Sequence, residues 1–481
     1  MANWTDETRI ALDNMRDSVT GLFVPTIRLG VTGLSRAGKT VFITSMIQNL
    51  IEGDNLSLFA PLAEGRLIGA QLSPHPNAAM PRFAYEEHLK ALKGEDRHWP
   101  QSTRQISQVR LMLKFQPDHW ATAWAGPREV HLDIVDYPGE WLLDLPLLDK
   151  NYREWSDDAL QKAHAPARAN IAEDWLNLTL KADATAPLDE EMATRLSNAF
   201  KAYLQACRAD EHALSALPPG RFLMPGDMDG SPALTFAPLP APDATPKSDS
   251  LYAQMERRYE AYKNIVVRPF FRDHFARLDR QIILVDALTA LNAGSDAVKD
   301  LEKALSEILT CFKTGNNPLW TRFFSTHIDK ILFAATKADH MPHTNHDRLG
   351  DVLGLLVKGA RQRAHYQGAE TQSMALAAIR ATHEGEVEHE GKMLKTIIGT
   401  PQKGESLGDK NYDGTSEIAL YPGNLPENPD SIFEDEQSYK GKLKFLRFRP
   451  PVLDNATRQK SGLPHIRLDR ALNFLLGDKL Q

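Results

Sequence analysis

The sequence predicts an α/β fold: a mainly parallel sheet of about six strands, interrupted by a large, mostly helical insertion. Three observations carry this. Short β-branched, apolar runs alternate with stretches of helical periodicity, the pattern of a parallel sheet covered on both faces. The string "GLSRAGKT" at 33–40 lies between the first such strand and the first such helix. Between 137 and 281 the alternation stops and an Ala-, Leu-, Glu-, Arg- and Lys-rich block takes its place.

Taken in order, 5–20 reads as a short helix with Ala11, Leu12, Met15 and Val19 roughly on one side, able to dock on the next domain or, alternatively, to lie on a membrane surface. The run at 26–34 is β-branched and apolar, hence a strand. After Lys39, the residues Phe42, Ile43, Met46, Ile47, Leu50 and Ile51 recur at helical spacing until Gly53 stops them. Further strands are expected at 108–115, 129–137, 281–288, 330–336 and 373–379. Helical periodicity fills 142–216, a proline- and glycine-dense loop fills 218–250, and helix resumes at "LYAQMERRYEAYKNIVV". Beyond 382 the chain turns polar and irregular to about 440. "GKLKFLRFRPP" offers one more strand, and 463–480 reads as a closing helix. The expected divisions are therefore 1–24, an N-terminal helix; 25–140 and 276–385, the two parts of the α/β domain; 141–275, the insertion; and 386–481, the irregular segment with its closing helix.

Composition narrows the function. With 481 residues, 42% apolar and 25% charged, the chain can build a core without staples. A net charge of −7 speaks against a nucleic-acid partner, which calls for a basic face. Cys207 and Cys311 stand alone, in no CxxC pair, which suits a reducing compartment. The opening residues lack the pattern of a secretion signal, and no apolar run approaches a membrane span, so a cytoplasmic protein is expected.

The string at 33–40 meets G-x-x-x-x-G-K-[ST]. Gly33 and Gly38 let backbone N–H groups turn inward around phosphates, and the helix that starts here adds its positive dipole end. Lys39 reaches β- and γ-phosphates, and Thr40 offers a hydroxyl to Mg²⁺. Nucleotide contacts are thus expected from Gly33, Ser35, Arg36, Ala37, Gly38, Lys39, Thr40 and Val41; for Arg36, phosphate and solvent are both open. A second string, "VHLDIVDYPGEW", ends a strand in Asp136, a place for a Mg²⁺ ligand, and continues to Gly139, whose N–H can meet a γ-phosphate. Alone it also reads as a plain turn. A third, "ILFAATKADH", ends a strand with Thr336, Lys337 and Asp339; a carboxylate there can accept N1–H and N2–H₂ of guanine, a donor pair adenine lacks.

In that order the three strings resemble the phosphate loop, switch two and base motif of Ras-like small GTPases. The wording around them ("GVTGLSRAGKTVF", "DYPGEWLLDLPLL", "RFLMPGDMDG") resembles the YcjX-like family of bacterial P-loop NTPases, linked to stress response. The resemblance implies a Ras-like P-loop domain and a conformational switch with slow Mg²⁺-dependent GTP hydrolysis, GTP being substrate and GDP product. It implies a switch-one threonine, best matched by Thr103, though an ordinary loop threonine reads as well. It implies a base loop, matched by "AAIRAT", in which the Ala381 N–H meets guanine O6. A protein effector or activating partner is implied, with an inner-membrane periphery left open and the oligomeric state unassigned; no arginine finger is visible. There are departures. Thr336 stands where such GTPases carry Asn, so ATP is less firmly excluded. Glu140 follows the switch-two glycine where a water-orienting Gln is usual, and so joins Lys39 and Gly139 as a catalytic candidate that can polarise water or repel the γ-phosphate. Two other readings stay beside this one: an ATPase doing mechanical or chaperone-like work, and a non-hydrolysing nucleotide-binding scaffold. His340, His343, His346 and Asp347, and the stretch "HEGEVEHEG" at 383–391, are read as solvated loops; Asp286 is read as a helix cap or a local hydrogen bond.

Overall fold

β1 (Thr26–Gly33) is buried at nearly every position, as a strand covered on both faces must be. The computed structural model describes residues 24–481 except 35, 76, 78–79, 102–104, 119–125, 244, 311–327, 367, 434–440 and 454–461. The helix expected at 5–20, Ser35, Thr103 and Cys311 lie outside the described residues. From β1 the chain enters α1 (Lys39–Glu52), then β2 (Leu67–Leu72), α2 (Tyr85–Lys93), β3 (Ser107–Phe115) and β4 (Arg128–Asp136). A 3₁₀ stretch, Gly139–Asp149, leads into the insertion: α3 (Tyr152–Ala163), α4 (Ala169–Lys181), α5 (Glu190–Cys207), α6 (Leu251–Tyr262) and α7 (Arg268–Asp273). Alternation resumes with β5 (Arg280–Val285), α8 (Ala287–Ala293), α9 (Ser295–Thr310), β6 (Lys330–Ala335), α10 (His346–Leu356), α11 (Lys358–Tyr366) and β7 (Glu370–Ala375). A hairpin, β8 (His383–His389) and β9 (Lys392–Gly399), is joined by β10 (Ile418–Leu420), and α12 (Leu468–Leu476) closes the chain.

The main sheet runs β2-β3-β4-β1-β5-β6-β7. β4, β1, β5, β6 and β7 are parallel, and β3 and β2 are antiparallel additions at one edge. This is the Ras-like P-loop arrangement, with its ligand edge at the carboxyl ends of the parallel strands. Alternate residues of each strand serve opposite faces. Ile27, Leu29, Val31, Ile282, Leu284 and Leu332 pack under Phe42, Met46 and Ile47 of α1 and Leu472 and Leu475 of α12. Val135, Ile283, Val285, Ile331 and Phe333 face the other way, into a core continuous with the insertion. There Trp155 stacks on Tyr259 (centroids 4.9 Å apart, 16° between planes) and Trp175 on Tyr203 (5.1 Å, 21°). The insertion thus shares one hydrophobic core with the sheet.

Three expectations need correction. The sheet has seven strands rather than about six: edge strand β2, "LIGAQL", buries only Leu67 fully, so it has no apolar run to announce it. The stretch at 383–391 is not a solvated loop but strand β8 and the turn that leads to β9; β8 is polar on both faces and holds by ladder pairing to β9. "GKLKFLRFRPP" forms no strand; it makes one isolated bridge, Pro401 to Phe448, because two prolines end it and its apolar side chains serve a small core instead.

Candidate functional site

The cradle is assembled where β1 hands over to α1. Ala37 N–H closes the turn onto the Leu34 carbonyl at 3.1 Å. Arg36 and Gly38 take positive φ, 62° and 80°, before the helix begins. Lys39 folds back over the loop, its Nζ donating to the Gly33 carbonyl at 3.1 Å. Thr40, in the first helical turn, is buried. Val41 packs on the cluster of Leu92, Ile379 and Leu463, while Ser45 Oγ donates to the Ala378 carbonyl, so α1 is tied to the loop after β7.

The register of β4 on β1 pairs Val31 with Asp136, which sets this buried carboxylate at the same edge. Thr40 and Asp136 supply a hydroxyl and a carboxylate, the hard oxygen donors that suit Mg²⁺. The turn after β4 abuts the cradle: a Cβ on Gly139 would stand 2.4 Å from the Gly33 carbonyl oxygen, so only glycine permits this approach.

Glu140 is buried, with 3% of its surface exposed. Its Oε1 pairs with the Arg208 guanidinium at 2.9 Å. Its Oε2 is buried without a hydrogen bond among the described residues. Arg208 follows the last turn of α5, and Asp210 nearby pairs with Arg36 of the cradle. Leu34, Arg36, Glu140, Arg208, Asp210 and Asp286 line one cavity at this edge. Burial, then the charges of Arg208 and Arg447, pulls the Arg36 guanidinium below its ordinary value, with Asp286 opposing.

The base-motif side lies next along the edge. Val285 carbonyl accepts the Thr336 N–H at 2.9 Å and its hydroxyl at 3.3 Å, so the residue in the usual Asn place is spent on strand β5. Lys337, at φ 61°, pairs with Asp286, which also caps α8 through Thr289 N–H (3.2 Å) and the Thr289 hydroxyl (2.8 Å). Burial raises the Asp286 pKa, but Lys337 and Thr289 outweigh it and hold the carboxyl below the usual range. Asp286 is thus the expected helix cap and, beyond that, the partner of Lys337. Asp339 is buried and accepts the Ala381 N–H at 3.0 Å. The structure brings these two together, with the amide aimed at the carboxylate. Of the nearby histidines, only His343 is exposed as expected. His346 is buried, with Nε2 3.0 Å from the Met341 carbonyl, and His340 lies edge-on to Phe448 at 5.6 Å. Burial keeps both below the ordinary histidine pKa. Among the described residues no group of three or more His, Cys, Asp or Glu forms a metal cluster, and no helix is long and apolar enough to cross a membrane.

The insertion grips the segment after β4. Gly220 lies so close that a Cβ would stand 1.8 Å from the Glu140 carbonyl oxygen. The Arg221 guanidinium covers the Trp141 ring at 3.2 Å, and Trp141 Nε1 donates to the Met224 carbonyl at 2.9 Å. Buried Asp144 accepts from Gly220 N–H (2.7 Å) and Tyr262 OH (2.6 Å). Sequence reasoning missed Arg208, Asp210, Gly220 and Asp144, since no spacing rule links them to the motifs.

Burial pushes the Asp144 carboxyl up to about 6, against the pull of Tyr262, Gly220 and Arg221. Its folded pKa exceeds the unfolded one, so between about pH 4 and 6 the folded chain keeps a proton that the unfolded chain loses. Stability from this group therefore falls as pH rises through that window, by up to about 3 kcal/mol. Asp144→Asn is expected to flatten the fall, read as urea midpoints from about pH 4 to 7. An unchanged pH slope would contradict the assignment.

A family model described as "YcjX-like family, DUF463" matches residues 27–480. The chain is 38% identical over 467 residues to a protein of Escherichia coli (strain K12) named "Ras-like GTPase YcjX", covering 95% of this chain and 96% of that one. It is 34% identical over 479 residues to a protein of the same name from Shewanella oneidensis, covering 95% of each.

Proposed function

This chain belongs to the YcjX-like family, and from that premise we propose that it is a GTP-binding protein whose slow, Mg²⁺-dependent GTP hydrolysis drives a conformational switch. The observation that carries the reading is convergence. The cradle at 33–40, the Asp136–Glu140 turn and the Thr336–Asp339 segment, far apart in sequence, meet along one edge of the sheet.

In this reading Lys39 leaves the Gly33 carbonyl for phosphate oxygens, and the amide hydrogens opening α1 gather around the same group. Bound Mg²⁺, held by Thr40 and Asp136, would neutralise charge on the phosphate oxygens. Gly139 N–H meets the γ-phosphate, and Glu140 Oε2 orients the attacking water. Catalysis is positional and electrostatic. Asp339 accepts guanine N1–H and N2–H₂, freeing the Ala381 amide to turn to O6. Loss of the γ-phosphate releases the Gly139 turn, and the insertion clamped on 140–144 moves with it. A cytoplasmic setting, a part in bacterial stress response and a protein effector complete the proposal.

The rival ATPase reading draws on Thr336, whose hydroxyl is committed to Val285. Displacement of labelled GTP separates the two. A bidentate charged contact at Asp339 is worth about 3 kcal/mol, so ATP should displace GTP roughly a hundredfold less well than GDP does. Equal displacement would contradict guanine selectivity.

A further inference from the structure

A carboxylate placed beside a triphosphate should be repelled by it, and the GTPase reading puts Glu140 in such a place. The segment from Arg208 to Gly220 answers that difficulty. Its start caps α5, with Arg208 N–H on the Leu204 and Gln205 carbonyls, both at 3.2 Å. Leu214 N–H turns back onto the Cys207 carbonyl at 3.0 Å. Asp300 of α9 accepts the Ser215 and Ala216 amides at 2.6 and 2.8 Å, and the buried Arg168 holds both Asp300 (2.5 Å) and the Ala216 carbonyl (3.2 Å). The segment is thus built in place before any ligand arrives. It meets Glu140 twice: Gly220 backs its carbonyl, and Arg208 takes one carboxylate oxygen at 2.9 Å. The other oxygen, Oε2, is buried with no hydrogen bond among the described residues, and Glu140 is one of the residues lining the cavity at this edge.

We propose that Arg208, supplied by the insertion of the same chain, is a positioning residue for Glu140: it cancels the carboxylate's charge through Oε1 and leaves Oε2 to take the attacking water. This rests on the GTPase reading above. Pairing through one oxygen leaves every lone pair of Oε2 for water, and an unpaired carboxylate would carry its full charge toward the γ-phosphate. The neighbouring Arg36–Asp210 pair joins the segment to the cradle, but both side chains are more than half exposed (54% and 61%), where such pairs contribute little. The insertion thereby gains a direct hold on the hydrolytic step, and a partner that pulls α5 away would silence it.

The test measures phosphate release from Mg²⁺–GTP, with GTP affinity measured separately by calorimetry, for the full chain and Arg208→Ala, Arg208→Lys and Glu140→Gln. Arg208→Ala should lower kcat roughly tenfold or more while KM and affinity stay within about twofold. Arg208→Lys should restore part of kcat, a rescue that mere loss of folding would not give. In a Glu140→Gln background the Arg208→Ala change should add nothing. Wild-type kcat in Arg208→Ala, a loss confined to KM, or a full additional loss in the Glu140→Gln background would each overturn the proposal. If the wild type hydrolyses GTP in a Lys39-dependent way and Arg208→Ala matches it, only this proposal falls. If the wild type neither binds nor hydrolyses GTP, the GTPase reading falls and takes this one with it.

Discussion

Lys39→Ala is expected to bind Mg²⁺–GTP at least about a hundredfold more weakly and to release phosphate some hundred- to thousandfold more slowly, with its fold intact. In the proposed reading Lys39 brings its positive charge to the β- and γ-phosphates. In the free protein its Nζ donates to the Gly33 carbonyl at 3.1 Å. That single side-chain-to-backbone bond contributes about 1 kcal/mol, so its loss costs little stability. With nucleotide bound, the same ammonium forms charge-assisted bonds to developing negative charge, worth far more in a site that excludes water. The separation between large functional and small structural loss is the diagnostic. Circular dichroism melting should place the variant within a few degrees of wild type. Equal phosphate release by the two proteins would remove the enzymatic claim.

Gly220→Ala is expected to destabilise the fold by about 3 kcal/mol or more and to uncouple the insertion from the turn after β4. The new methyl would meet the Glu140 carbonyl oxygen at 1.8 Å, its carbon at 2.4 Å and Trp141 N at 3.1 Å. All three are backbone atoms, so no rotamer change relieves the overlap. The segment must lift, which breaks the 2.7 Å bond from Gly220 N–H to Asp144 and strands a buried carboxylate. Gly69→Ala on β2 is the control: nothing lies within 4 Å of its Cβ position. Chemical denaturation should show a large drop in midpoint for Gly220→Ala and almost none for Gly69→Ala. Similar midpoints for both would refute the close packing between insertion and turn.

The parallel strands were legible because burial on both faces forces continuous β-branched runs such as "TIRLGVTG" and "QIILV". β2 and β8 were not, since edge and two-sided polar strands hold through ladder pairing that leaves no hydrophobic period. The cradle was legible for another reason: its geometry is local, set within eight residues by glycine, lysine and threonine at fixed spacing. Arg208, Asp210 and Gly220 matter only through where α5 and the segment after it end up, and no local rule carries that information. His346 shows the same limit from the other side. Its polar sequence neighbours suggest a solvated loop, yet α10 turns it inward, where the Met341 carbonyl receives it.

Calorimetric titration of the folded protein with GTP and Mg²⁺ tests the central claim most directly. The expected result is saturable heat at one site per chain, lost in Lys39→Ala and much weaker with ATP. The absence of measurable heat with every purine triphosphate would contradict it.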